Sequence, residues 1–442
     1  MTGSRLLVEH RDHRILVDCG MFQGRRELRR RNWAALPVDP ASIDAVVVSH
    51  AHLDHIGWLP RLVADGFTGR IYATEYTTAL AALVLRDAAH LQEEDADYAA
   101  RAGFSKHAAP LPLYDTAQAE KAIDAFAPIG YHTPTEVAAG IAVTLRFAGH
   151  ILGSASVVAH TDGDVLAVSG DLGRRDHPLL RPPDPPPAAR TIVVESTYGD
   201  RPRPHAGLDR FADAVGECLT TGGVVLIPAF AVDRTELVLK AVRELTDACR
   251  IPRVPIWLDS PMAAAALDIY RTAIAANAPE LRPLPADPFG CETLQVAQTV
   301  EQSKTLNQPS DPCIIVSASG MATGGRVVHH LAGLAPDPRN LIVLAGFQVA
   351  GTRGRDLLDG ATAIKAHGRY VPVRARILGL DEFSCHADAD ELLAWLAAAP
   401  QTPRICLTTH GEPDAAAALA DHIQHTLGWC AVPARDGEKV RT

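Results

Sequence analysis

The sequence predicts an α/β protein of two units, the second wound around a mainly parallel sheet. Three observations carry this expectation. Short apolar runs in the first half and near the end of the chain stop at a carboxylate, a histidine or a glycine. Between about residues 204 and 365, continuous apolar runs alternate with helical stretches, the pattern of strands covered on both faces by crossover helices. The 442 residues, 47% of them hydrophobic, suffice for two packed cores.

Taken in order, residues 14–20 read as a strand ending at Asp18 and Gly20, and 43–48 as a buried strand. Residues 69–74 form another strand and lead into a helix over about 75–101, apolar early and acidic later. Strands follow at 141–148, before Gly149-His150, and at 165–171, ending on Asp171. The proline-dense stretch 178–187 is too stiff for a helix and reads as a surface connection. The strand 191–195 ends on Glu195. In the second unit, helices are expected at 208–219 and 235–245, and strands at 224–227, 254–258, 313–316 and 341–344. The pattern of the first unit returns with strands at 375–380 and 404–410.

Composition narrows the function. No run of eighteen apolar residues exists, so no membrane helix is expected, and the first residues lack the layout of a signal peptide. The eight cysteines are scattered without a C-x-x-C pair, which excludes a disulfide framework or zinc knuckle and fits a reducing cytoplasm. A net charge of −10 argues against wrapping nucleic acid by bulk positive charge, though not against a local phosphate grip.

The chemistry concentrates at Ser49-His50-Ala51-His52-Leu53-Asp54-His55. Imidazole nitrogen and carboxylate oxygen are the ligands that zinc and related metals take. Four donors this close hardly point at one ion, so a pair of ions is the natural reading, with His50 and His52 facing one and Asp54 and His55 the other. Two metals bridged by water make a hydrolytic site. A merely polar loop is the alternative, but histidine is uncommon and seldom clusters without a metal. Asp18, His150, Asp171, Glu195, His386 and His410 stand at or near other strand ends. A lone aspartate there more often caps a turn, and a lone histidine is more often structural; joint occurrence with the cluster shifts the balance.

The order of these motifs resembles the metallo-β-lactamase superfamily: Asp18, His50-x-His52-x-Asp54-His55, His150 and Asp171 match its four motifs in sequence. Glu195 in Glu195-Ser196-Thr197-Tyr198-Gly199-Asp200, His386 in Phe383-Ser384-Cys385-His386-Ala387-Asp388, and His410 in Thr409-His410-Gly411-Glu412 are similar to the motifs of its β-CASP branch. The chain looks most like the RNA-cleaving members related to the endonuclease of eukaryotic pre-mRNA 3′-end processing, nearly end to end. The resemblance implies a four-layer αββα metallo-β-lactamase domain over 1–203 and 366–442, interrupted by a β-CASP domain over 204–365. It further implies two Zn2+ ions, with Mn2+ as a substitute: His50, His52 and His150 on the first, Asp54, His55 and His410 on the second, Asp171 bridging, and Asp18 orienting the ligands from behind. Self-association as a homodimer is compatible with the family.

On this reading the expected activity is a zinc-dependent ribonuclease, in which a hydroxide activated by two metals attacks phosphorus and leaves a 5′-phosphate and a 3′-hydroxyl. His386 would protonate the departing 3′ oxygen, held charged by Glu195. Endonucleolytic and 5′→3′ exonucleolytic action both stay open. Ser319, Gly320, Thr323, Gly324, Gly325 and Arg326 are expected to grip phosphate, with backbone N–H groups at a helix start and one guanidinium fork, although most glycine-rich turns are only turns. Arg353 and Arg355 are weaker candidates. The alternatives are a DNA nuclease of the same family, a dinuclear (thio)ester or lactone hydrolase, and an inactive scaffold. The large insert favours a polymer over a small substrate, and the intact metal motifs oppose a scaffold. His410 favours RNA by family association. Few lysines leave arginine as the main cation for phosphate contacts.

Overall fold

The structure, a computed structural model, describes residues 3–102, 110–203 and 207–441. The junction expected at residue 204 lies outside the described residues. Two sheets face each other in the first unit. One runs, in spatial order, Leu6–His10, His13–Val17, Ala45–Val47, Arg70–Ala73 and Phe126–Pro128. Its first pair is an antiparallel hairpin and the rest are parallel. The apolar pattern places no strand before residue 14; Leu6–His10 is one nonetheless, and it supplies the sheet's edge.

The second sheet runs Ala431–Pro433, Ile405–Thr409, Thr191–Glu195, Val165–Val168, Ala155–His160, Ile141–Phe147 and Thr135–Ala138. The first four strands are parallel and the last three return antiparallel. Alternation along the strands decides the layers. Ile15, Val17, Ala45 and Val47 turn inward to meet Val143, Leu145, Val157, Val193 and Leu407 of the opposing sheet. Leu16, Val46 and Val48 turn outward, in one apolar cluster with Leu80 and Leu85 of the long helix Glu75–Ala102. On the far side Ile192, Val194 and Cys406 meet Leu392 and Leu396 of the helix Ala389–Ala397 and Leu419 and Ile423 of Pro413–Leu427. The result is helix, sheet, sheet, helix, as the motifs implied.

The insert carries a six-stranded, all-parallel sheet: Leu294–Val296, Ile256–Leu258, Ile314–Ser317, Val225–Pro228, Leu341–Ala345 and Arg376–Leu380. Helices cover both faces, with Phe211, Val238 and Leu267 packed on one and Val327, Leu331 and Leu357 on the other. The strand Arg376–Leu380 pairs with Leu341–Ala345 along its whole length. The insert's sheet therefore extends past the boundary at 365 expected from sequence, where the strand reads as a return to the first unit. A short apolar strand carries no mark of the sheet it joins, so only pairing decides this. The apolar cluster under the first sheet continues without a break into the insert, joining Leu80 and Ile151 to Tyr270 and Ile314. Among the described residues, no helix is long and apolar enough to cross a membrane.

Candidate metal centre and active site

Parallel strands end on the same edge of a sheet, and loops at that edge are where α/β proteins build sites. Asp18 follows His13–Val17, His50 follows Ala45–Val47, Asp171 follows Val165–Val168, Glu195 closes Thr191–Glu195, and His410 follows Ile405–Thr409. Packing the two sheets face to face brings these loops together, and the Gly149-His150 turn adds His150, whose backbone N–H donates to Ser154 Oγ at 3.0 Å.

Two donor sets result. His50, His52, His150 and Asp171 form one, Asp54, His55 and His410 the other. In the first, His52 Nδ1 stands 3.1 Å from His50 Nε2 and 3.3 Å from His150 Nε2. Asp171 Oδ2 lies 3.5 Å from His50 Nε2 and 3.6 Å from His150 Nε2. In the second, His55 Nε2 is 3.0 Å from His410 Nε2, which is 3.4 Å from Asp54 Oδ2. Asp171 Oδ1 is 3.4 Å from His55 Nε2 and 3.1 Å from His410 Nδ1. Two ligands of a tetrahedral zinc at its usual Zn–N distance stand roughly 3.3 Å apart, so these spacings are those of ligands around an ion. Asp171 Oδ1 is buried and, among the described residues, makes no hydrogen bond, as suits an oxygen meant for a cation. Behind the ligands, Asp18 accepts from Ser49 N at 2.8 Å and Ser49 Oγ at 2.9 Å, and meets His55 Nδ1 at 2.7 Å, which turns His55 Nε2 toward the centre.

The electrostatics separate the histidines into two groups. Burial drives His50 and His150 well below the ordinary histidine value and His52 down to about 4, so all three are neutral, the ligand form. Burial acts on His55 in the same direction, but the Asp171 and Asp18 carboxylates outweigh it and raise its value. Burial would raise Asp171; His410, His55 and His50 more than reverse this and keep it ionised.

His386 stands at the margin of this centre. Residues 385–387 run beside the Asp171 loop: Arg174 N donates to Cys385 O at 3.1 Å and Ala387 N to Leu172 O at 2.7 Å. His386 Nδ1 lies 3.1 Å from both oxygens of Glu195, which is fully buried and also accepts from Leu172 N at 2.6 Å. Burial would depress His386, but the Glu195 carboxylate overrides it and raises the value. Among the described residues His386 Nε2 makes no hydrogen bond, so the ring presents one anchored and one open nitrogen.

Comparison with known proteins gives the same assignment. Residues 3–219 match the metallo-beta-lactamase superfamily, 236–357 the Beta-Casp domain, and 370–433 the Zn-dependent metallo-hydrolase RNA specificity domain. A ribonuclease of Thermus thermophilus is 38% identical over 95% of this chain and 92% of its own length. The chain belongs to the β-CASP RNA nucleases of the metallo-β-lactamase superfamily. An RNase J-like protein of Methanocaldococcus jannaschii is 29% identical over 95% of the chain and 92% of its own length, and the transcription termination factor FttA of Methanosarcina mazei is 32% identical over 96% and 67%. A crystal structure of a protein of unknown function from Enterococcus faecalis shares the fold, with a TM-score of 0.52 at 13% identity over 99% of this chain and 96% of that one.

On the insert side of this β-CASP chain, the glycine-rich loop after Ile314–Ser317 enters the helix Arg326–Leu334 as expected. Ser319 Oγ accepts from Thr323 N and lies 3.1 Å from Thr323 Oγ1. A Cβ on Gly320 would come within 2.7 Å of Phe230 N, and the Phe230 ring centroid is 6.1 Å from that of His52. The loop therefore approaches the metal centre across one aromatic ring. Arg326 departs from the expectation of a free fork. Its Nη1 binds Asp259 Oδ1 at 2.6 Å and Ala297 O at 3.1 Å, because the buried Asp259 needs a cation and finds it there. Arg353 likewise tethers backbone carbonyls of Ala322, Thr323 and Lys365. Arg355 pairs with Asp359.

Three important residues escape a reading of the sequence. Buried Arg203 holds the His386 loop by donating to Ser384 O at 3.1 Å and His386 O at 2.5 Å while pairing with Glu391. Asp233, fully buried, accepts from Tyr270 Oη at 2.6 Å and lies 3.0 Å from both His177 Nε2 and Cys385 Sγ. Tyr270 Oη in turn accepts from Leu152 N at 3.0 Å. The insert is thus pinned to the loops of both His150 and His386. Only one local signal hints at this. The box Asp388-x-x-Glu391 marks a helix start, and both its carboxylates are shared with Arg203.

Proposed function

We propose that this protein is a zinc-dependent ribonuclease that hydrolyses phosphodiester bonds of single-stranded RNA, leaving 5′-phosphate and 3′-hydroxyl ends. One observation carries the reading: the two oxygens of Asp171 divide between two donor sets, and the same carboxylate lies 4.0 Å from His386, itself paired with Glu195. His50, His52 and His150 would hold one Zn2+ (or Mn2+), Asp54, His55 and His410 the other, and Asp171 both. Such a pair of ions, when bound, supplies charge neutralisation at the phosphate oxygens and a water ionised near neutral pH.

The chain's own residues supply orientation and the proton. Asp18 takes the Nδ1–H of His55, so the ring's orientation is preset before any ligand arrives. Glu195 fixes His386 through Nδ1 and favours its charged form, which leaves Nε2–H to donate to the departing 3′ oxygen. Burial of Glu195 keeps that pairing strong by excluding water. Relatives named ribonuclease and RNase J-like support RNA as the substrate.

The test is cleavage of an internally labelled single-stranded RNA and a DNA of the same sequence by the zinc-loaded protein. RNA alone should be cut, with 5′-phosphorylated products, and Asp171→Ala should abolish cutting. Equal cutting of DNA would refute the RNA assignment. No cutting of either, with two zinc ions bound, would move the reading to a small-molecule hydrolase.

A further inference from the structure

The arginines that the sequence marks for phosphate each spend donors on partners within the chain. Among the described residues, a denser group of arginines without carboxylate partners lies on the short helix Arg26–Arg30 and its flanks. The segment Arg25-Arg26-Glu27-Leu28-Arg29-Arg30-Arg31-Asn32-Trp33 holds five arginines in nine residues of a chain with net charge −10. Arg25, Arg26, Arg29 and Arg30 are exposed, and among the described residues none of the four makes an ion pair. Trp33 is 58% exposed, an unusual position for the largest apolar side chain.

Helical spacing sorts this segment into two faces. Arg26, Arg29 and Arg30 stand at i, i+3 and i+4 of the helix, and exposed Trp33 ends the 3-10 turn Arg31–Trp33 that continues it. Leu28, Arg31 and Asn32 take the opposite face and anchor it. Buried Asn32 accepts from Phe22 N and donates to Phe22 O, both at 2.8 Å, and its carbonyl accepts from Trp58 Nε1 at 2.9 Å. Arg31 lies over the Phe22 ring and pairs with Asp436. The outer face is therefore held out on a fixed base, not trailed on a loose loop.

The segment is tied at its start to the metal motif. Cys19 N donates to His55 O at 2.7 Å and Met21 N to Leu53 O at 3.1 Å, inside the metal motif itself. Four residues on, Arg25 is within roughly 14 Å of that contact by chain reach alone. The segment also touches the insert: a Cβ on Gly24 would stand 2.8 Å from Val349 Cγ1, and one on Gly351 would stand 3.3 Å from Arg25 Cγ. Arg25 thus sits at the seam of the two domains, and the other three arginines follow it within one helical turn and a half.

We infer that Arg26, Arg29, Arg30 and Trp33, with Arg25 at the seam, form a binding surface for single-stranded RNA entering or leaving the cleft. Guanidinium groups take the phosphates and the indole takes one base by stacking. Both halves are needed for a single strand, since unpaired bases offer π-faces that a duplex hides. An arginine already paired with a carboxylate is neutralised; these four are not, and against the acidic remainder of the protein a local cationic strip is a favourable landing place. The inference rests on the ribonuclease reading and adds to it where the strand lies outside the metal centre.

The experiment uses the full-length, zinc-loaded His386→Ala protein, which retains the metal motifs, and a fluorescent single-stranded RNA titrated at several salt concentrations. Arg26→Gln/Arg30→Gln should weaken binding and lower the slope of log K against log salt by about 1.4, roughly 0.7 for each phosphate no longer neutralised. Trp33→Ala should weaken binding roughly ten-fold with the salt slope unchanged, as expected when one base no longer stacks. A matched control removes two exposed arginines at the opposite strand ends, Arg70→Gln/Arg404→Gln, and should leave the slope unmoved. Equal slopes for the parent and both double variants, or equal weakening in the two double variants, would overturn the inference. Arginine-dependent binding to anionic lipid vesicles with RNA affinity unmoved would also overturn it. If the parent protein bound no RNA and the wild type cut none, the ribonuclease reading itself would fail, an outcome separate from these.

Discussion

Replacing Tyr270 by Phe removes one oxygen from a fully buried side chain and tests how the insert is pinned to the catalytic loops. Tyr270 Oη donates to Asp233 Oδ1 at 2.6 Å and accepts from Leu152 N at 3.0 Å. Burial and the neighbouring Asp233 carboxylate raise its ionisation well above the ordinary tyrosine value, so the hydroxyl keeps its proton and remains a donor. The ring itself stays, and so does its edge-on contact with Phe289, so the change leaves almost no cavity. Two terms remain. A buried N–H at Leu152 without an acceptor costs about 1–3 kcal/mol, and the charge-assisted bond to Asp233 is worth about 1.5–3 kcal/mol. Together they predict a loss of about 2.5–6 kcal/mol, less if water occupies the vacated position.

Urea unfolding measures this as a lower midpoint at unchanged slope. The companion variant Asp233→Asn should couple strongly to it, by about 0.5–3 kcal/mol in a double-mutant cycle, because the two side chains share one hydrogen bond. A loss below about 0.5 kcal/mol for Tyr270→Phe would refute the reasoning, since an isolated buried amide cannot be that cheap.

Three further outcomes follow from the site. His386→Ala should slow RNA cleavage by about 10²–10⁴-fold with metal content unchanged, read by single-turnover kinetics and metal analysis; an unchanged rate would remove His386 as the proton donor. Asp171→Ala should lose metal from both donor sets after dialysis, and retention of one ion at full affinity would show that the aspartate does not bridge. Burial would raise Asp259, but hydrogen bonds from His330, Ser303 and Arg326 hold its carboxyl below the ordinary value. A folded-state value lower than the unfolded one means the unfolded chain takes up the proton first, so this stabilisation is full above about pH 4 and falls away as pH drops further. Asp259→Asn should therefore be less stable than wild type at neutral pH, with the gap narrowing in acid; a gap constant with pH would refute it.

How much of this is legible depends on how local each signal is. The His50–His55 cluster, Asp18, Asp171 and Glu195 announce themselves because each ends a short apolar strand, and strands buried on both faces read as near-continuous hydrophobic runs. The pairing of His386 with Glu195 joins positions 191 residues apart. Spacing alone gives no access to it; the motif resemblance suggests it, and the geometry agrees. Arg326 shows the opposite case. Its glycine-rich setting suggests a phosphate grip, yet a carboxylate 67 residues away takes one nitrogen of its fork. Nothing in the residues around Asp259 signals that it will be buried beside Arg326, because strand order in a parallel sheet is set by packing and crossover geometry.

The sequence by itself carried most of the strands and helices and the candidate donors, since periodicity and dense histidine spacing are properties of short stretches, but not the edge strand Leu6–His10. The tertiary structure alone decided which nitrogen of each histidine faces the centre, that Arg376–Leu380 completes the insert's sheet, and that Asp233 and Tyr270 lock the insert to the catalytic loops. It also decided which arginines remain free. A guanidinium is committed or available according to the carboxylates and carbonyls that folding brings within reach, and those partners come from distant segments that no local pattern connects.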